Sequence, residues 1–476
     1  MSRFAAREFL GRGSVYTIGT VAPILVTLLI TPLVVRLLGT ERYGYIGIAI
    51  TTYQAVSVIL PLGLPSAVTR HALIEKSGRS GAAGLVVAGA VLSLALAVPV
   101  ALTSPLWGTA LFGQVGWLLV WPAVSAVGLS WMALGQSMLR ADDRARTFVS
   151  LGWLMAIVPP ASALTVCAVM GPNVIRYLLV LSSMHFVVGL IAVVVSCRGA
   201  RPRTSVAEWM LALRIAIPTV PHQLAMASLG VAIVAVATSV GGVAVGGWAQ
   251  LAYLLGTAVQ IILGAVNNAW APMVYRAPRD ERMHVLASST AVVSLLGMAL
   301  TCCFVLAVPV LAFVVGNRAG AGPVLQGALV GAAGAGFMVL YLSNVHLVFV
   351  SGKTSLLALA TPASFVIAVG IAILITRSSN VAMLSLTVVP VFYALQYIAS
   401  IGLRHAAREP RPHIHAAVPA VAAGIVVPLL AAVGIATGGG IEIAAVVTAV
   451  LVAILGGLLT YRMWRTSSRV DAGVVL

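Results

Sequence analysis

Apolar residues run along this chain in long blocks, separated by short polar turns that carry nearly all the charge. A helix crossing the hydrocarbon core of a bilayer needs about 20 mostly apolar residues. That pattern predicts fourteen spans, over residues 14–38, 45–68, 82–105, 115–139, 148–170, 174–196 and 215–239, then 247–273, 285–315, 323–350, 355–376, 381–403, 416–436 and 441–461. The expected fold class is an all-α polytopic membrane protein. Residues 1–200 form an N-terminal six-helix lobe, 201–214 a cytoplasmic amphipathic linker and 215–404 a second six-helix lobe. Residues 405–476 supply a closing helix pair and a cytoplasmic tail.

Charge orients the spans. With the N-terminus inside, the outer turns keep Arg36, Arg42, Arg176, Arg318 and Arg377, and the other 23 of the 28 lysines and arginines fall inside. Inner loops of membrane proteins are enriched in these residues, so both termini are expected to be cytoplasmic, and Gly171, Gly241 and Gly316 to face outward. The first span has a basic leader but exceeds a signal-peptide core in length, and is read as a retained helix. In the linker, Ser205 and Glu208 have capping-box spacing, and Trp209, Met210 and Leu213 follow at helical intervals, which predicts a short surface helix. Pro218 and Pro221 fall in the first turns of the next span, where a missing amide donor costs least.

Composition narrows the class. The chain is 61% hydrophobic and 8% charged, far from the roughly 25% charged of soluble domains. The net charge of +17 follows from the inner arginines and calls for no nucleic-acid partner. Cys167, Cys302 and Cys303 lie in apolar runs and Cys197 at a helix end, with neither metal nor disulfide spacing. Gly352-Lys353-Thr354 lacks the earlier glycine of a phosphate loop, since position 347 is Leu347. The histidines, among them His71, His185, His222 and His346, show no metal spacing and read as hydrogen-bonded helix contacts or interfacial residues. Outer loops are short, and the only acidic residues in them are Glu41 and Glu442. No catalytic residues, metal or cofactor are expected, and the chain is not read as an enzyme.

Two patterns bear on function. Gly39, Gly44 and Tyr45 recur as Gly242, Gly247 and Trp248, 203 positions later, as parallel halves of a transporter would have it. On the eighth span Gln250, Tyr253, Thr257, Gln260, Gly264 and Asn267 fall on one helical face, with Asn268 beside them. Such a face in lipid must meet water or protein. It either walls a hydrated cavity or hydrogen-bonds to neighbouring helices. No acidic residue lies well inside a span, against a simple carboxylate-based antiport. Gly327 and Gly331, four apart, predict a close helix contact.

The runs Gly13-Ser14 to Thr31-Pro32-Leu33 and Arg36-Leu37-Leu38-Gly39-Thr40-Glu41-Arg42-Tyr43-Gly44 resemble the opening of bacterial polysaccharide flippases. So do Ile217-Pro218-Thr219-Val220-Pro221-His222 and Asn268-Ala269-Trp270-Ala271-Pro272-Met273-Val274-Tyr275-Arg276. These flippases belong to the multidrug/oligosaccharidyl-lipid/polysaccharide exporter superfamily. The resemblance implies transfer of a polyprenyl-(pyro)phosphate-linked oligosaccharide across a bacterial cytoplasmic membrane, by alternating access between two lobes. Its implied partners are that lipid-linked oligosaccharide, membrane lipid, and glycosyltransferases or a polymerase of the same pathway. The implied substrate-binding residues are Arg36 at the outer mouth, Arg70 and Arg276 at the inner one, and Gln250, Tyr253, Gln260, Asn267 and Asn268. Arg140 also lies at the inner mouth, and each arginine has the alternative role of setting topology. The sequence departs from the family where many members carry an Asp-Arg pair, in the stretch from Val231 to Ala237. A drug or metabolite exporter of the same superfamily and a membrane scaffold for glycosyltransferases are the alternatives.

Overall fold

The computed structural model describes residues 26, 28–113, 115–351, 357–412 and 414–437. Both termini, Lys353 and the expected span over 441–461 lie outside the described residues. Every described element is helical: α1 (Leu28–Leu38), α2 (Thr40–Ile59), α3 (Leu64–Ile74), α4 (Gly78–Leu102), α5 (Ser104–Phe112) and α6 (Val120–Ala141) come first. Then follow α7 (Ala145–Met170), α8 (Val174–Cys197), α9 (Val206–Ala216), α10 (Val220–Ala227), α11 (Leu229–Gly256) and α12 (Ala258–Arg276). The last are α13 (Arg282–Ala332), α14 (Gly334–Val350), α15 (Leu357–Ser379), α16 (Val388–Ala406) and α17 (Val418–Thr437). Among the described residues nine helical runs are long and apolar enough to cross a membrane, or ten if the pair α2–α3, bent by 42°, counts as one span. The chain is a multi-pass membrane protein.

Two runs are too long for one crossing. Leu229–Arg276 has 48 residues and Arg282–Val350 has 69, and at about 1.5 Å per residue either exceeds a hydrocarbon core of about 30 Å. Each is broken where the sequence expects an outer turn. Gly242 breaks the first with φ 79° and ψ 179°, and Asn317 the second with φ 56° and ψ −177°. Gly39, which opens α2, has nearly the backbone of Gly242, at φ 82° and ψ 163°. This corner of backbone space strongly favours glycine, although Asn317 also lies near it. The recurring glycines thus make the same turn in both halves of the sequence.

Contacts divide the chain into two compact units. One comprises Met1–Leu251, Val315–Gly320 and Leu357–Ser385, the other Ala252–Val314, Ala321–Leu356 and Leu386–Leu476. In the first, α2 crosses α11 backbone to backbone. A Cβ on Gly247 would lie 2.7 Å from the Gly44 Cα, and one on Gly44 would collide with the Val243 carbonyl. The second unit repeats the device. A Cβ on Gly331 would lie 3.4 Å from the Gly256 Cα, and one on Gly327 2.9 Å from the Ala252 Cβ, the close contact expected from their spacing.

The linker helix forms as its caps predict. Ser205 accepts from the Glu208 N–H while the Glu208 carboxylate accepts from the Ser205 N–H. That backbone bond, with the Ser77 and Ser205 hydroxyls, holds the Glu208 carboxyl down to about 2. Trp209, Ala212 and Ala216 pack into the core of α3, α4 and α6, and Glu208 lies 3.6 Å from His71. α9 is therefore seated on the first unit by one face.

The glycine crossing is testable by size. Gly247→Val is expected to lower stability by about 2 kcal/mol, as overpacking does, seen as an earlier thermal transition of the detergent-solubilised protein. Gly402→Ala, inside α16 where nothing lies within 4 Å of the added Cβ, is expected to leave that transition no earlier, since alanine suits a helix better than glycine.

Candidate functional site

Within the first unit five helices enclose a cavity of about 420 Å³. The wall follows helical periodicity on each. α1 supplies Ile30, Thr31 and Val34; α2 supplies Tyr43, Ile46, Ile50, Tyr53 and Gln54; α6 supplies Leu129, Met132 and Gln136. α7 adds Phe148, Gly152, Met155, Ala156 and Pro160, and α8 adds Tyr177, Leu181 and His185 at steps of four. The polar groups are three phenols, two amides, one hydroxyl and one imidazole. Among the described residues no carboxylate, lysine or arginine lines the cavity.

These groups are held by bonds behind the wall. The Tyr43 hydroxyl donates to Gln250 Oε1 over 3.3 Å, across the glycine crossing. His185 has a longer chain behind it. Ser182 donates to the Trp121 carbonyl (2.8 Å), Ser125 donates to Ser182 Oγ (2.9 Å), and His185 Nδ1 lies 3.1 Å from Ser125 Oγ. With the single Ser125 proton committed to Ser182, the imidazole must donate from Nδ1, which leaves Nε2 as its acceptor. The Tyr53 and His185 rings meet edge to face with centroids 5.2 Å apart. The chemistry on offer is neutral: acceptors and donors for hydroxyl groups, and aromatic faces for their C–H surfaces.

The residues singled out in the sequence lie elsewhere. Gln250 is buried behind Tyr43 rather than in the cavity wall. In the second unit Gln260 donates from Nε2 to the Gly331 carbonyl over 2.8 Å, and Asn267 Oδ1 lies 2.8 Å from His346 Nε2. His346 is also packed edge-on against Trp270, with centroids 4.5 Å apart. Tyr253 is half-buried and Asn268 exposed. Three amides of the stripe are thus engaged by neighbouring helices. Arg36, Arg70 and Arg276 are exposed, and Arg70 lies 3.6 Å from Glu75. Arg140 stacks over the Phe148 ring at 5.8 Å. In the stretch without the Asp-Arg pair, Val234 packs with Ile48, Phe112, Val115 and Leu119, an apolar cluster with no place for a charge. Among the described residues no group of three or more His, Cys, Asp or Glu could hold a metal ion.

Sequence reasoning passed over Gln54, Gln136 and Tyr177, and read His185 as a helix contact. That contact is present, with Ser125, but the ring also lines the cavity. The available signal was a polar or aromatic residue at helical spacing on α2, as Tyr43, Tyr53 and Gln54 are.

The fold is shared with transporters. An inward-facing multidrug resistance MATE family transporter of the MOP superfamily aligns with a TM-score of 0.62 at 16% identity, over 82% of this chain and 97% of that one. A MATE structure in the straight conformation gives 0.60 at 16%, over 84% and 94%. The lipid II flippase MurJ, in an inward closed conformation, gives 0.64 at 13%, over 94% and 99%. No family model matches the sequence, and no curated protein matches it. The chain has the MATE- and MurJ-like fold, and these neighbours are transporters and a flippase rather than enzymes.

The stripe's bonds generate a double-mutant test. His346 Nδ1 is buried without a hydrogen-bond partner, so Asn267→Leu strips the ring of its remaining one. Asn267→Leu is expected to cost about 1 kcal/mol, and His346→Phe in the same chain to recover most of it. Thermal unfolding of the two single variants and the double variant in detergent measures the coupling.

Proposed function

We propose that this chain is a flippase moving a polyprenyl-(pyro)phosphate-linked oligosaccharide across a bacterial cytoplasmic membrane, by alternating access between two lobes, in polysaccharide biosynthesis. The observation that carries the reading is the neutral cavity of the first unit, walled by Tyr43, Tyr53, Tyr177, Gln54, Gln136 and His185. Sugars present hydroxyl groups and apolar C–H faces in alternation, which phenols and amides match without charge. An amphipathic cation would call for a carboxylate in the wall, and none is there among the described residues. The fold supports transport of either kind, since its neighbours include both multidrug transporters and a lipid II flippase.

In this reading the lipid tail stays in the bilayer and the cavity takes the saccharide. Arg36, Arg70 and Arg276 act as guides for the anionic headgroup, since guanidinium pairs with phosphate through two parallel hydrogen bonds. The chain does no covalent chemistry. Fourteen spans with both termini cytoplasmic complete the topology, and glycosyltransferases or a polymerase of the pathway supply and consume the substrate.

The cavity amides provide the test. Gln54→Leu with Gln136→Leu keeps side-chain volume nearly constant and removes two sugar-binding groups. Outer-leaflet lipid-linked glycan in cells should fall at least about tenfold, roughly the loss of one to two good hydrogen bonds, at matched levels of folded protein. Undiminished glycan together with lost efflux of amphipathic cations would replace this reading by drug export.

A further inference from the structure

At the C-terminal end of α16 sits a charge that no group among the described residues answers. Arg404 is 2% exposed, and its Nε and Nη1 are buried without a hydrogen-bond partner. Two other arginines show the contrast, although Arg282 Nε also lacks a partner while its Nη2 donates to the Ala277 carbonyl. Arg79 pairs with Asp142 at 2.8 Å, and Arg144 donates to the Val195 carbonyl at 3.1 Å. A guanidinium cannot shed its proton inside a protein, so a buried one without a counter-charge is costly and gains from an anion that reaches it from outside.

The surroundings of Arg404 say what kind of anion. It lines a cavity of about 600 Å³ within the second unit, beside Arg411 and with no carboxylate in the wall among the described residues. Much of the remaining wall is hydrocarbon, with Leu340 of α14 and Val418, Val421 and Ile425 of α17 at helical steps of three and four, beside the polar groups of Asn344, Tyr397, His405 and His415. A space this large and this apolar is poorly matched to a small hydrated ion. It suits an amphiphile with a phosphate at one end, which a guanidinium grips through two oxygens.

We propose that this cavity binds the phosphate headgroup of an anionic membrane lipid, with Arg404 and Arg411 on the phosphate and the acyl chain along α17. The site lies within the second unit, shares no residue with the cavity of the first, and stands whether or not the transport reading holds.

The full chain in lipid nanodiscs tests it, by thermal unfolding and by native mass spectrometry of retained lipid. Adding phosphatidylglycerol to phosphatidylcholine discs is expected to raise the unfolding temperature of the wild type and to leave bound phosphatidylglycerol. Arg404→Met should unfold no earlier than wild type in phosphatidylcholine alone, because it removes an unanswered charge, and should gain nothing from phosphatidylglycerol. Arg411→Gln, in an exposed loop, should retain the lipid about tenfold less well, and Ala422→Phe should displace it by narrowing the cavity. These two variants carry the test if Arg404→Met does not fold. An equal gain from phosphatidylglycerol in wild type and the variants overturns the proposal. So does full replacement of the lipid effect by inorganic phosphate, which would make this a free-phosphate site.

Discussion

The backbone contact between Gly44 and Gly247 is the constraint on which the first unit rests. Only helices without side chains at the crossing approach so closely that an added Cβ would lie 2.7 Å from the facing Cα. Lipid offers no hydrophobic drive for one apolar helix to leave it for another, so close van der Waals packing has to hold them. The same approach brings the Tyr43 hydroxyl to Gln250, fixing one phenol of the cavity wall. The positive-φ turns at Gly39 and Gly242 start both helices at the point where their glycines meet. Turn, crossing and cavity wall are thus consequences of the same recurring glycines.

Much of this was legible in the sequence, and for a physical reason. A bilayer enforces apolar length, so spans can be counted along the chain, and most described helices begin and end within a few residues of where hydropathy places them. Ser205 and Glu208 announced α9 through local chemistry alone. The glycine repeat could be seen, but not that its two copies touch each other, because contact between residues 203 positions apart is a property of packing. The stripe on α12 shows the same limit from the other side. Periodicity established that Gln260 and Asn267 share a face. It had no means of telling that the Gly331 carbonyl and His346 stand opposite them.

The cavity was harder to read because it belongs to no one segment. Each of its five helices contributes one to three polar or aromatic residues, too few to distinguish any of them from an ordinary buried face. His185 illustrates this. Its serine partner made the structural reading correct, and the same bond fixes the tautomer that turns Nε2 into an acceptor. Charge is segregated by contrast. The neutral groups gather in the first unit's cavity, while Arg404, without a counter-charge among the described residues, stands in a separate and largely apolar one. A saccharide suits the former and an anionic headgroup the latter, by hydrogen bonding in one case and by desolvated charge in the other.

The central claim is that the neutral cavity serves a saccharide rather than a cation, and reconstitution tests it most directly. Purified protein in liposomes would be given a fluorescent polyprenyl-pyrophosphate-linked oligosaccharide confined to one leaflet, and its sugar made visible to a lectin on the other side. The account predicts that the oligosaccharide becomes accessible at a rate set by the amount of protein, and that an amphipathic cation in the same liposomes is not moved. Movement of the cation with the oligosaccharide held in its original leaflet would contradict it.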